Sequence, residues 1–478
     1  MTAAAHHDYY AGGWLRASGT RLLTALNPYT EQPATLVRES TPEDVDHAVG
    51  LARQAFTSWS AMETGMRAEF LQRVASGMRS RAEDLARSIS TELGMPIKLC
   101  RRIQVELPIS TFEQTAALLA SYPWSERMGH SLVLREAAGV VAAVSPWNYP
   151  LHQIVAKLAP ALGAGCTVVL KPSELTPGCA LMLAEIFDAA GVPPGVFNLV
   201  PGAGAITGEA LVSHSGIDVV SFTGSTQVGR HIMTRAAQTI KRVRLELGGK
   251  SASVVLRGAD LARSVKHAVA SCMLNSGQTC SALTRLLVAA EDYDEAIDLA
   301  RAQLRTLTPG DPLDERTRLG PVISASHRDR IHGYVRRGID DGAQLLAGGP
   351  DSPDLPGHGY FVAPTLLGDV RPDAETAQEE IFGPVLCMLR YRHPDDAADI
   401  ANHSRYGLAG AVWAGDDREA LAFARRLRTG QVDINGAAFN PAAPFGGYKQ
   451  SGLGRELGRH GLDEFVELKS VQLPQPVN

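Results

Sequence analysis

The sequence predicts an α/β fold spread over more than one domain, and three observations carry that reading. The chain has 478 residues, and single hydrophobic cores stop growing near ~250–300 residues, so two or three domains are expected. From Gly139 to Leu256 short apolar runs (GVVAAV, CTVVL, VFNLV, IDVVSF, RVRLEL and SASVVL) alternate with helix-like segments. That alternation implies a parallel sheet covered by helices on both faces. A second stretch of the same kind runs from about 258 to 440.

Helices dominate before the first sheet. Thr41 can cap, Pro42 suits the first helical position, and Glu43 and Asp44 face the positive end of the helix dipole. Val45, Ala48, Val49, Ala52 and Phe56 then recur at helical spacing and define one apolar face. Helical text continues to about residue 120, and the tail from Glu467, ELKSVQLPQPV, reads as an extended strand that pairs with another part or another copy of the chain.

Composition excludes several classes. With 45% hydrophobic and 20% charged residues the chain is globular. A net charge of −5 gives no reason to expect nucleic acid or an acidic membrane as partner. The start MTAAAHHDYYAGGW lacks the basic and apolar regions of a signal peptide, and no stretch of about 18 apolar residues follows. A cytoplasmic location is therefore expected. Six cysteines without a C-x-x-C pair suggest neither zinc nor a disulfide framework, so no metal is expected.

Five of those cysteines sit in settings that suit a small hydrophobe. Cys280 differs, because Asn275-Ser276-Gly277-Gln278-Thr279-Cys280 surrounds it with small polar residues that leave the sulfur accessible. Glu246-Leu247-Gly248-Gly249-Lys250 lies 34 positions upstream, at the end of an expected strand, where α/β folds present functional groups.

Together with these two segments, six more motifs stand in order: Pro146-Trp147-Asn148-Tyr149-Pro150, Lys171-Pro172-Ser173-Glu174, Phe222-Thr223-Gly224-Ser225-Thr226-Gln227-Val228-Gly229, Glu380-Ile381-Phe382-Gly383-Pro384, Pro444-Phe445-Gly446-Gly447 and Ser451-Gly452-Leu453-Gly454-Arg455-Glu456. In this set and over nearly its whole length the chain resembles the aldehyde dehydrogenase superfamily, of the hydrolytic type that uses NAD(P). The resemblance implies oxidation of an aldehyde to a carboxylic acid. Cys280 would attack the carbonyl to form a thiohemiacetal and then a thioester, Glu246 would activate water against the thioester, and Asn148 with the Cys280 amide would hold the oxyanion. Lys157 and Glu456 match positions used in a proton path behind the base, or else form a structural ion pair.

The same resemblance implies a Rossmann-like cofactor domain without the usual G-x-G-x-x-G fingerprint. The turn Phe222–Gly229 takes its place, with Gly224, Ser225, Val228 and, further on, Leu247 around the dinucleotide. Gly204 and Gly208 would lie near the adenine, Lys171 and Glu174 on the adenosine ribose, and Glu380 and Phe382 on the nicotinamide ribose. Trp147 would line the pocket between them, with simple core packing as the alternative for Phe382. Glu174 points to NAD as cofactor, with NADP possible. The implied division is a dinucleotide-binding domain from 1–120 and 138–249, an α/β catalytic domain from 250–450, and a small β bridging or oligomerisation element from 121–137 and 465–478 that supports a homodimer or homotetramer.

Substrate recognition falls on Tyr149, His152, Phe439 and Phe445 as candidate tunnel walls. The loop from Gly436 to Phe445 carries no charge, so uncharged aliphatic or aromatic aldehydes are expected to outrank phosphorylated or dicarboxylic semialdehydes. Ala156, small for its position, suggests a roomy tunnel, and Asp433 stands where many members carry an aromatic residue. A CoA-acylating relative, a non-enzymatic relative and a cysteine protease are the alternatives. Retention of Glu246 disfavours the first, the intact set Cys280, Glu246 and Asn148 the second, and the lack of a partner His motif the third.

Overall fold

A computed structural model describes residues 8–353 and 355–474. The extreme start and residues 475–478 of the expected bridging element lie outside the described residues.

Two large sheets organise the chain. The first has eight strands, and its parallel core orders Phe197–Leu199, Thr167–Lys171, Val140–Val144, Val219–Thr223 and Arg242–Glu246 side by side. Strand order therefore reverses beside Val140–Val144, the first of the five in the chain. Such a reversal opens a crevice at the carboxyl ends of the strands, because the connections on either side leave to opposite faces. Short antiparallel strands flank this core, Tyr9–Ala11 at one side and Gly452–Leu453 at the other.

The second sheet runs Gln344–Ala347, Thr365–Gly368, Val385–Tyr391, Arg285–Ala289, Ala252–Val255, Gly410–Trp413 and Asp433–Ile434. All its neighbours are parallel except the first pair. Here the structure corrects one expectation. The last of the six apolar runs, Ser251–Leu256, does not extend the first sheet. Its strand Ala252–Val255 sits inside the second sheet, and the segment 247–251 joins the two.

Local signals explain the elements. Helix Pro42–Ser60 starts with a capping box between Thr41 and Asp44, and Val45, Ala48, Val49 and Ala52 are buried. Phe56 is only half-buried, and Trp59 completes the covered face instead. Each main sheet has apolar clusters on both of its faces, which is why its strands read as continuous apolar runs. The tail strand Val466–Gln472 pairs antiparallel with Ser131–Ala137 of the same chain, in a third sheet completed by Ser125–Met128. No helix among the described residues is long and apolar enough to cross a membrane.

Candidate active site

Cys280 follows an unusual turn. Asn275 (φ 52°), Ser276 (φ 55°) and Gly277 (φ 75°) are three consecutive left-handed residues, a conformation that costs energy in two side-chain-bearing positions and must be held by neighbours. Those neighbours are present. Asn275 Nδ2 donates to the carbonyls of Asn148 (3.0 Å) and Gln278 (3.2 Å), and Ser276 Oγ donates to the Gly320 carbonyl at 2.7 Å. Gln278 Oε1 accepts from the Ile323 amide at 2.9 Å. Gly277 can only be glycine, since a Cβ would also collide with the Gly383 carbonyl.

Asn148 lies just beyond the carboxyl end of Val140–Val144, on the lip of the crevice. Its Nδ2 donates to the Gln278 carbonyl at 3.0 Å, which fixes the amide plane, and the second N–H of the group meets no acceptor among the described residues. The Cys280 amide meets no acceptor among the described residues. Burial pushes the Cys280 thiol up to about 12, with the carboxylates of Glu380 and Glu246 adding to the effect and the Ser281 amide opposing it. Cys280 is the cysteine that is not fully buried; the other five are.

Glu246 ends strand Arg242–Glu246, with 5% of its surface exposed and Oε2 without a hydrogen-bond partner. Burial and then the nearby Glu456 carboxylate raise its pKa well above the usual carboxylate range, while Lys157 pulls it down. Lys157, on helix Pro150–Ala164, donates to Glu456 Oε1 and to Thr223 Oγ1, both at 2.6 Å. Thr223 passes its own hydrogen to Gln153 Oε1 at 3.1 Å. The result is a buried polar chain running behind Glu246. Gln153 and Thr223 were not singled out in the sequence, where nothing distinguishes a buried amide or hydroxyl from an ordinary one.

Two cavities meet at the sulfur. One, of about 310 Å³, occupies the crevice and is lined by Trp147, Asn148, Gly224, Ser225, Glu246 and Leu247 from the first sheet, and by His327, Arg330, Glu380 and Phe382 from the second half of the chain. The other, of about 580 Å³, is lined by Tyr149, His152, Phe439 and Phe445, all four expected tunnel residues, and by Leu107, Leu274 and others. Cys280 and Gln153 alone border both. The Tyr149 hydroxyl and Thr279 Oγ1 lie 2.7 Å apart. Burial lowers the His152 pKa to about 4, so its ring is neutral near pH 7.

The remaining candidate cofactor residues fall into two groups. Glu380 accepts from the Gly249 amide at 3.0 Å, and its carboxylate is so close to Gly248 that a Cβ there would strike it. Burial raises Glu380 to about 7. Phe382 adopts φ 61°, and its carbonyl accepts from His327 Nε2 at 2.7 Å, while its ring meets Trp147 edge-on at 5.4 Å. His327 was not foreseen, because a lone histidine on a helix carries no signal in one sequence. Farther along the strand ends, Lys171 Nζ lies 3.3 Å from Glu174 Oε2, and its side chain passes Gly208, while Gly204 faces open space.

Ser225 caps helix Thr226–Ala236 by accepting from the Val228 amide, and Val228 is exposed in the first turn. The first-turn amides of such a helix have no partner within it and favour an anion. Phe222 is buried in an apolar cluster, and its ring packs directly against Gly224 of the crevice lining, where a Cβ would strike it. Ala156 is likewise buried in its helix and lines neither cavity, and the tunnel owes nothing to its size. The tunnel also holds charges that the loop sequence did not announce, from Arg102 and Asp433.

A sequence profile described as "Aldehyde dehydrogenase family" matches residues 14–471. A Pseudomonas protein named 3-succinoylsemialdehyde-pyridine dehydrogenase is 46% identical over 97% of both chains. Among solved structures, a mutant of aldehyde dehydrogenase C from Pseudomonas syringae in complex with NAD+ and octanal is 41% identical, with a TM-score of 0.98 over 100% of this chain and 99% of that one. A Mycobacterium tuberculosis aldehyde dehydrogenase complexed with NAD+ is 39% identical, with a TM-score of 0.96 over 99% of each.

Proposed function

This chain belongs to the aldehyde dehydrogenase family and is an oxidoreductase of aldehydes with NAD as acceptor, and from that premise we propose that Cys280 is its nucleophile, Asn148 its oxyanion donor and Glu246 its hydrolytic base. The observation that carries the proposal is that Cys280 is the one nucleophilic side chain bordering both cavities, with Asn148 and Glu246 lining the smaller of them.

The crevice residues fit a dinucleotide. A helix N-terminus capped by Ser225 offers amides to a pyrophosphate, Lys171 and Glu174 offer a donor and an acceptor to a ribose, and Glu380 offers a second carboxylate beside Trp147 and Phe382. When bound there, the dinucleotide supplies the acceptor for the hydride that leaves the substrate carbon.

In the larger cavity the aldehyde reaches Cys280 from the side of Tyr149 and Phe445. The thiol releases its proton to solvent, the carbon–sulfur bond forms, and the carbonyl electron pair moves onto oxygen. That oxyanion receives the free Asn148 N–H and the Cys280 amide, and loss of one such donor costs on the order of 10²–10³ in rate. Re-forming the carbonyl expels the hydride and leaves a thioester. Glu246 then takes a proton from water as the water attacks, the carbon–sulfur bond breaks, and the carboxylic acid departs. Retention of a carboxylate with an unpartnered oxygen supports release to water over release to CoA.

The same reading assigns 1–120 with 138–249 to cofactor binding, 250–450 to catalysis, and 121–137 with 465–478 to association with further copies as a homodimer or homotetramer. It also places the enzyme in the cytoplasm, in keeping with six free cysteines. Replacing Cys280 by Ala tests the assignment. Aldehyde-dependent NADH formation should vanish while NAD binding by calorimetry persists, and retention of a tenth of the wild-type rate would remove Cys280 from the mechanism.

A further inference from the structure

We propose that Asp433 selects among aldehydes in the larger cavity, favouring those whose distal end carries a protonated nitrogen. The inference rests on the reading of that cavity as the aldehyde site.

Asp433 opens the edge strand Asp433–Ile434 of the second sheet, paired with Gly410–Trp413, and lines the same cavity as Cys280. The cavity it lines is walled in part by the apolar Leu274, Leu283, Phe439 and Phe445, with Ser271 and Gln431 among its polar residues. One carboxylate oxygen accepts from Gln431 Nε2 at 2.9 Å, which fixes the group's orientation. The other meets no donor among the described residues, so half of the acceptor capacity of a partly buried carboxylate is unused.

Among the described residues no cation pairs with the group. His267 is the ionisable side chain that acts on it, yet its Nδ1 is buried without a partner and burial holds its pKa below the ordinary value. Burial disfavours its charged form, so it offsets the aspartate charge only in part. Arg102 lines the cavity as well but is exposed, where solvent and salt screen it. Burial also raises the Asp433 pKa, as expected of a carboxylate lacking its counter-charge.

A half-buried acceptor of fixed orientation is matched by a ligand that brings both positive charge and an N–H, since the charged hydrogen bond offsets desolvation that a neutral tail leaves unanswered. A carboxylate or phosphate tail would instead meet a like charge. Asp433 thereby strengthens the expected disfavour of anionic aldehydes and moves the preferred substrate from neutral to cationic.

The test uses three aldehydes that cannot cyclise onto themselves: 4-(dimethylaminomethyl)benzaldehyde, protonated at pH 7, its carbon isostere 4-isobutylbenzaldehyde, and anionic 4-formylbenzoate. In the wild-type enzyme kcat/KM should favour the cation over the isostere by about tenfold, with the anion last. Asp433→Asn, which keeps the shape and the contact to Gln431, should bring the cation-to-isostere ratio close to unity. A wild-type preference for the neutral or anionic compound, or a ratio that Asp433→Asn does not move, would overturn the proposal. Should none of the aldehydes turn over, the activity assignment fails and the inference is decided by binding of N,N-dimethylbenzylamine. Calorimetry should then show about tenfold weaker binding to Asp433→Asn, and equal binding to both proteins would reject it.

Discussion

Lys157 and Glu456, 299 positions apart in the chain, form an ion pair of 2.6 Å in which the lysine side chain is wholly buried and the glutamate 9% exposed. Both act on Glu246 from behind, the carboxylate raising its pKa and the ammonium lowering it. Opposite effects on the pH profile follow. Glu456→Gln should shift the rising limb of the deacylation rate to lower pH, and Lys157→Met should shift it to higher pH, both read by stopped-flow thioester hydrolysis. An ion pair with a purely structural role would move neither limb. Lys157→Met should also lower stability by about 3 kcal/mol, because it leaves a buried carboxylate unpaired.

Glu246 itself must be ionised to accept a proton from water, so steady-state turnover should rise with pH through its raised pKa. The stability contribution has the opposite sign. The folded protein holds this proton more tightly than the unfolded chain, so stability falls as pH climbs from the usual carboxylate range through the raised value. Glu246→Gln should remove that decline in urea titrations at successive pH values. In single turnover it should still give a burst of NADH followed by slow hydrolysis, and absence of the burst would assign removal of the thiol proton to Glu246 as well.

Glu174 sits 35% exposed beside Lys171, at 3.3 Å. If its carboxylate receives the adenosine ribose hydroxyls, a 2′-phosphate there meets a like charge that Lys171 offsets only in part. NAD should be preferred over NADP by roughly ten- to hundredfold in kcat/KM, about 1.4–2.7 kcal/mol. Glu174→Gln should narrow the gap chiefly by improving NADP binding, and equal efficiencies in the wild-type enzyme would contradict the placement.

The small sheet of Ser125–Met128, Ser131–Ala137 and Val466–Gln472 leaves Met128 60% and Leu468 67% exposed. These two exposed apolar side chains are the surface that the proposed association with another copy would cover. Light scattering should show a dimer or tetramer at micromolar concentration, and Met128→Asp with Leu468→Asp should reduce its size. A wild-type monomer would end this reading.

The parts of the molecule that depend on local chemistry were legible in the sequence. Thr41 and Asp44 announced a helix start, and strand-like runs located all five parallel strands of the crevice within a residue or two. Parts that depend on distant packing were not. Nothing in Ser251–Leu256 says that its strand crosses into the second sheet, because sheet membership is set by neighbours about 30 to 160 positions away. Tyr149, His152, Phe439 and Phe445 line one cavity with Cys280, yet the sequence did not show that Arg102 and the noted Asp433 bring charge to the same lining, since a single chain does not tell which loop side chains point inward. Phe222 shows a related limit: every residue of its strand is buried, and alternation gives no clue that its ring packs against Gly224 at the crevice.

Among the described residues, Cys280 and Gln153 are the ones common to the linings of both cavities, so the sulfur stands where the two meet. Under the proposed assignment the acceptor and the aldehyde approach the sulfur from different cavities, while Glu246 and Asn148 stand on the acceptor's side. A spent acceptor can be exchanged while the acyl group is still attached to the cysteine, and an acid product can depart without unseating the acceptor. On that reading the order of release would be set by relative rates rather than by one product blocking the other.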